Sequence, residues 1–272
     1  MGLAGVFAVV RKYLSIARHF VRIGLIRKSQ FRVEFLGQVL MDTFWYLSHV
    51  LSFEILFGFS TVADIAGWSV VEVRVFLSFL FVSDAWMMMW LGQGWHFGRE
   101  LKDGKLDPYR IRPAATVFLY FFQRFSLEAC LNMTLALGYL VYALIQAQAS
   151  LGLSSLIVVP WAIALSFWGR TVLSILFSMF EFYFLNSDMG HLLHTLCAAP
   201  GEKPLDIWGQ RTRRFFLSIL PVGVLSHIPA AMVLGKYGFG VSLLHTIWLT
   251  AFGVLVLRSW GRGFRRYESA MS

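Results

Sequence analysis

Charge is scarce in this chain: Asp, Glu, Lys and Arg make up 14% of its 272 residues, where a soluble domain carries about 25%. With 57% hydrophobic residues, a water-exposed globular fold of this length is excluded, because it would leave too much apolar surface uncovered. Cysteine is scarce too. Cys130 and Cys197 lie in apolar stretches without metal-ligand spacing and read as packing residues. Acidic residues are outnumbered 15 to 24 by basic ones. The basic excess flanks apolar runs, which assigns it to membrane topology and anionic lipid rather than to nucleic acid.

Catalytic patterns are missing as well. There is no Gly-x-Ser-x-Gly and no His-Glu-x-x-His, and His191 and His194, at i and i+3, have no acidic or cysteine cluster beside them, so no metal site is expected. The nearest approach to a phosphate-binding loop runs from Gly98 to Leu106. It has five residues between Gly98 and Gly104 where four are required, and Leu106 where Ser or Thr must hold magnesium. ATP binding by that route is excluded. The two halves show no repeat of the kind ion-coupled carriers carry, so an external motor is the expected energy source. Met1–Val10 is apolar ahead of Arg11 and Lys12, the reverse of a cleavable signal, and residue 1 onward reads as mature protein.

What is present is a series of long apolar runs, predicting an all-α membrane protein. Residues 1–32 read as an interfacial helix, or else as a plain basic lead-in that orients the first span: seven basic residues and no acidic one lie between Phe7 and Arg32 (Arg11, Lys12, Arg18, Arg22, Arg27, Lys28, Arg32). Phe7, Val10, Leu14, Ala17, Val21 and Leu25 make its lipid stripe. Residues 33–272 form one transmembrane domain. Expected spans are Glu34–Phe59, with Asp42 and Glu54 facing the bundle or the interfaces; Val70–Trp95, with Glu72 and Arg74 solvated by head-groups; Ala114–Ile145, with Arg124 and Glu128 paired on one helical face; and Leu153–Leu185, with Arg170 near its centre facing protein or water. Asn186–Gly190 reads as a turn. His191–Pro200 is too short to cross alone, and Val241–Leu257 is the last span. Asp42, Glu54, Arg124, Glu128 and Arg170 are the candidate intramembrane polar or pathway residues.

The basic N-terminal segment, the block Arg99–Pro113 with five basic against three acidic residues, and the tail 258–272 all belong in the cytoplasm by charge. Two topologies keep the crossings even. In one, Gly201–Arg214 is outside and Phe215–Leu234, broken by Pro221, Gly223 and Pro229, enters the membrane and turns back. In the other, Leu153–Pro200 crosses once and Gly201–Arg214, with Lys203, Arg211, Arg213 and Arg214, is inside. Charge favours the second and the helix breaks favour the first.

Gly104-Lys105-Leu106-Asp107-Pro108-Tyr109-Arg110-Ile111-Arg112-Pro113 resembles the cytoplasmic loop of ABC-2 type permeases, in the branch of six-span bacterial exporter half-permeases. Lys203-Pro204-Leu205-Asp206-Ile207-Trp208, Leu220-Pro221-Val222, Ile228-Pro229-Ala230 and Leu234-Gly235-Lys236 are similar to that branch's segment before its last span, and Trp260–Ala270 to its terminal signature. Arg110, where the branch usually has an apolar residue, and the crowded Arg211, Arg213 and Arg214 depart from the pattern.

The resemblance implies six transmembrane helices, a re-entrant region at about 201–236, and both termini on the cytoplasmic side of the bacterial inner membrane. It implies an exporter subunit without its own ATPase site, working with separate ABC ATP-binding subunits that hold ATP and magnesium, and with a second permease as homodimer or paralogous heterodimer. The coupling loop, 96–113, would contact the motor through Arg99, Glu100, Leu101, Asp103, Gly104, Leu106, Pro108, Arg112 and Pro113. Leu101, Leu106 and Ile111 are expected to press into an apolar groove of the motor, with Arg99, Glu100, Lys102 and Asp103 fixing register by charge. The other readings are a structural or assembly subunit without transport, and an ion-coupled carrier.

Overall fold

The computed structural model describes residues 3–28, 32–59, 64–147, 155–184 and 189–267, and is helical with no strand among them. Of the turn expected at Asn186–Gly190, residues 186–188 lie outside the described residues, as does the tail beyond Tyr267, and Met189 and Gly190 open a helix instead. Helix α1 (Leu3–Lys28) is the basic amphipathic segment. Its Tyr13, Ile16, Phe20 and Gly24 recur at helical spacing and are buried or half-buried; of the stripe expected to face lipid, Phe7, Val10, Leu14 and Leu25 are exposed, while Ala17 and Val21 are half-buried. Helix α2 spans Arg32–Gly58 and α3 Val70–Trp86.

The fold is built around α3. Ser69 caps it, accepting from the Glu72 N–H at 3.4 Å while the Glu72 carboxylate accepts from the Ser69 N–H at 2.8 Å. A helix apolar on all sides must be buried on all sides, and Phe76, Phe79, Phe81 and Val82 have almost no exposure. It packs against α2, α7 (Glu128–Gln146), α8 (Ser155–Phe180) and α11 (His227–Val233). Past Trp86 the helix widens into a π turn, Met87–Leu91, and tightens into a 3-10 turn, Gly92–His96, where two glycines weaken regular α geometry. The chain then runs into α4 (Phe97–Lys102), α5 (Asp107–Arg110) and α6 (Thr116–Phe122).

Helix α9 (Met189–Gly201) packs on α8, as does α12 (Phe239–Arg266); α10 is Gln210–Arg214. Among the described residues, four segments are long and apolar enough to cross a membrane: Val70–Lys102, Glu128–Gln146, Ser155–Phe180 and Phe239–Arg266. Helix α2, with Gln38, Asp42, His49 and Glu54 along it, and α9, with 13 residues, are not among them.

Phe215–Leu234 is broken as its prolines and glycine suggest, into a π turn at Phe215–Ile219, a 3-10 turn at Val222–Val224, and α11. Pro229 sits in the first turn of α11, where its missing N–H has no helical partner to lose. The 3-10 turn presses so closely on α8 that a Cβ at Gly169 would lie 2.3 Å from the Val224 side chain. Ser166 donates to the Leu225 carbonyl at 2.6 Å and Ser226 to the Gly201 carbonyl at 3.1 Å. The irregular backbone thus finds partners inside the bundle.

Two expectations need correction. Ala114–Ile145 is not one helix: it breaks between α6 and α7, and the Ser126 N–H donates to the Met89 carbonyl of the π turn at 3.1 Å. Arg124 therefore does not share a helical face with Glu128; it turns to Glu100 at 3.6 Å. Arg74 and Glu72 do not rely on head-groups either. Arg74 makes a bidentate pair with Glu54, at 2.6 and 3.0 Å, which clamps the α2–α3 hairpin, and Glu72 pairs with Lys236 at 3.0 Å.

Candidate functional site

Two charged regions are candidates. The first is the loop between α4 and α6. After α4 the chain reverses at Gly104, whose φ of +70° is left-handed and strained for any residue with a Cβ. Pro108 lies at the start of α5, where a fixed φ helps the helix begin. The reversal drives Leu101 and Leu106 inward, to 2% and 0% exposure, in a cluster with Phe97, Tyr120, Trp260 and Tyr267. Leu101 and Leu106 are thus buried in their own chain, which corrects the expectation that they press into a partner's groove. Ile111 is the apolar residue turned outward, at 87% exposure.

Glu100 is likewise occupied internally. Its carboxylate accepts from Gln93 at 2.7 Å and from the Tyr120 hydroxyl at 3.0 Å, and it faces Arg124. Burial pushes the Tyr109 hydroxyl above its ordinary pKa, and that hydroxyl donates to Gln123 at 2.6 Å. Left on the surface are Arg99, Lys102, Asp103, Lys105, Pro108, Arg110, Arg112 and Pro113, with Arg112 stacked over the Tyr109 ring. The one acidic member, Asp103, is held below the usual carboxylate pKa by its hydrogen bond from Lys105. Helix α1 braces the far side of the loop: Lys12 donates to the Pro113 carbonyl, and the Ala115 N–H donates to the Tyr13 hydroxyl at 3.0 Å.

The second region lies inside the bundle. Arg170 of α8 meets Asp84 of α3 at 2.9 Å, each side chain 12% exposed. Asp42 of α2 is 7% exposed and accepts from Asn132 at 2.5 Å and Gln38 at 3.1 Å. Near the other end of α2, His49 and Glu202 are 3.6 Å apart. Asp42, Asp84, Arg170 and Glu202 border a cavity of about 450 Å3, and Asp42, Glu128 and Arg124 border another of about 520 Å3. Both share Asp42, Met87, Met88 and Trp95, so they meet at the π turn. Such a volume suits a small-molecule site.

A sequence model of the family described as ABC-2 family transporter protein matches residues 44–271. The chain belongs to the ABC-2 transporter family. No curated protein and no solved structure matches it.

The ABC-2 permease is thus a multi-pass membrane protein, and its match takes in both charged regions apart from α1 and the start of α2 with Asp42. Of the pathway candidates, Asp42, Arg170 and Glu128 come together around the cavities with Arg124, while Glu54 is set apart in its clamp with Arg74. Asp84 is the residue that sequence reasoning missed. It stands as the lone carboxylate in the middle of the second apolar run, and Arg170 is the lone cation in the middle of the fourth. Matching the two would have found the pair.

Proposed function

We propose that this chain is the transmembrane permease subunit of an ATP-driven ABC-2 type exporter, forming half of a translocation path and coupled to separate ATP-binding subunits. The loop surface carries this reading. Ile111 and the exposed side chains of Arg99, Lys102, Lys105, Arg110 and Arg112 stand on a wedge whose inner side, Leu101 and Leu106, is part of the same core as α8 and α12. A rigid wedge with an apolar tip and a basic rim can bind a partner and pass its displacement to the bundle. ATP and magnesium reside on the partner.

The topology has six membrane segments, made by α2, α3 with its continuation, α6 with α7, α8, α9 and α12, of which α9, with 13 residues, is a partial crossing. Residues 201–236 lie outside as a re-entrant region, and both termini are cytoplasmic in the bacterial inner membrane. Supporting this, Trp68 donates to Asp206 at 2.7 Å and Lys236 to the Gly67 carbonyl at 2.9 Å. Both contacts tie the region to the start of α3, the end remote from the loop. A second permease, identical or paralogous, would face the cavities lined by Asp42, Asp84 and Arg170 and complete the path. The carrier reading is not favoured, because Glu54, Arg170 and Arg124 are each engaged by an opposite charge.

The test is co-expression with an ATPase of the phosphate-binding-loop class encoded beside this chain. Co-purification and ATPase stimulation by the permease are expected. A permease that purifies alone and transports without the ATPase overturns the reading.

A further inference from the structure

The segment of α12 past the apolar stretch carries Arg258, Arg262 and Arg265. At i, i+4 and i+7 they share one face of the helix and are all exposed. They border a groove of about 440 Å3 between α12 and the first residues of α6, Ala115–Val117, with no acidic residue in its lining. Among the described residues none of the three makes an ion pair. Trp260 is another wall of the groove, and its indole N–H is buried with no acceptor among the described residues. That N–H lies too deep for an occupant of the groove to reach, so recognition there rests on the three arginines. Directly above, Val254, Leu255 and Leu257 are exposed on a membrane-crossing helix, which supplies an apolar surface continuous with the groove.

We propose that this groove is a binding site for the phosphate of an anionic phospholipid, with its acyl chains lying along α12. The arginine fork matches phosphate oxygens in pairs, and a basic pocket between transmembrane helices at the level of the head-groups is suited to an anionic lipid. The continuous apolar face distinguishes a lipid from a soluble phosphate. Trp260 packs in the same cluster as Leu101 and Leu106, so the bound lipid braces the seat of the loop.

The test is binding of phosphatidylglycerol and phosphatidylcholine to the purified full-length chain in detergent, counted by native mass spectrometry and independent of any ATPase. Each arginine facing the phosphate gives about a fivefold preference for the anionic lipid. The variant combining Arg258→Gln, Arg262→Gln and Arg265→Gln is therefore expected to lose a preference on the order of 100-fold. The matching Arg→Lys variant, which keeps the charge, retains part of it and controls for loss of fold. Glycerol 3-phosphate is expected not to displace the lipid at equal concentration. Equal retention of the two lipids, an unchanged preference in the glutamine variant, or displacement by glycerol 3-phosphate would each overturn the proposal. Failure of the exporter reading would leave this measurement untouched.

Discussion

Two short ion pairs mark the difference between the interior of this bundle and its loop. Asp84–Arg170 at 2.9 Å has 12% exposure on each side chain, and Lys105–Asp103 at 2.7 Å has 59% and 45%. The distances are nearly alike, but their energetic meaning is opposite. Inside, removing one partner strands the other in a medium that solvates charge poorly. On the loop, water screens both groups and the pair contributes little to stability. Leucines and isoleucine divide the same way: Leu101 and Leu106 hold the wedge in place, and Ile111 is left for something else to cover. Charge in the interior therefore maintains the structure, and charge on the loop is available for recognition.

The largest effect is expected at Arg170. Arg170→Met should cost about 3–5 kcal/mol by leaving Asp84 buried and unpaired, read as a lower midpoint of unfolding in SDS. The double variant Asp84→Leu/Arg170→Met should recover most of that loss. Next, Leu106→Ala should cost about 2–5 kcal/mol through a cavity in the core, whereas Ile111→Ala should shift stability by no more than about 0.5 kcal/mol. Equal effects would mean that inward and outward faces of the loop are wrongly assigned. Ile111→Glu should leave the permease folded, yet weaken retention of the ATP-binding subunit by about 10- to 30-fold in a pull-down titration, the scale of an interface anchor. Smallest of all, Lys105→Ala should leave the thermal midpoint unchanged within error, since both members of its pair are solvated.

Much of this was legible in the chain. Apolar runs marked the four segments long and apolar enough to cross a membrane, the stripe Phe7–Val10–Leu14 marked the exposed face of α1, and Pro221, Gly223 and Pro229 marked the broken segment. Spacing could not reveal where α6 ends. That break depends on the Ser126 N–H meeting a carbonyl exposed by a π turn 37 residues earlier in the chain, at Met89. Nor could an amphipathic reading of 98–112 tell which side its leucines face. A pattern of apolar and charged residues gives the two faces but not which neighbour covers the apolar one, and here Trp260 and Tyr267, far along the chain, cover it. Asp84 went unseen because one carboxylate inside a long apolar run carries no periodic signal, and its partner lies 86 residues away.

The central claim is that the outward face of the loop receives an ATP-binding partner while the opposite end of the bundle does not. Site-directed crosslinking tests it most directly, using a single cysteine at Ile111 or at Phe239, exposed 87% and 73% at opposite ends of the bundle, with Cys130 and Cys197 replaced by serine. A crosslink from Ile111→Cys to the co-expressed ATPase, with none from Phe239→Cys, is the predicted result. A crosslink from Phe239→Cys alone, or none from Ile111→Cys in a complex that hydrolyses ATP normally, would contradict it.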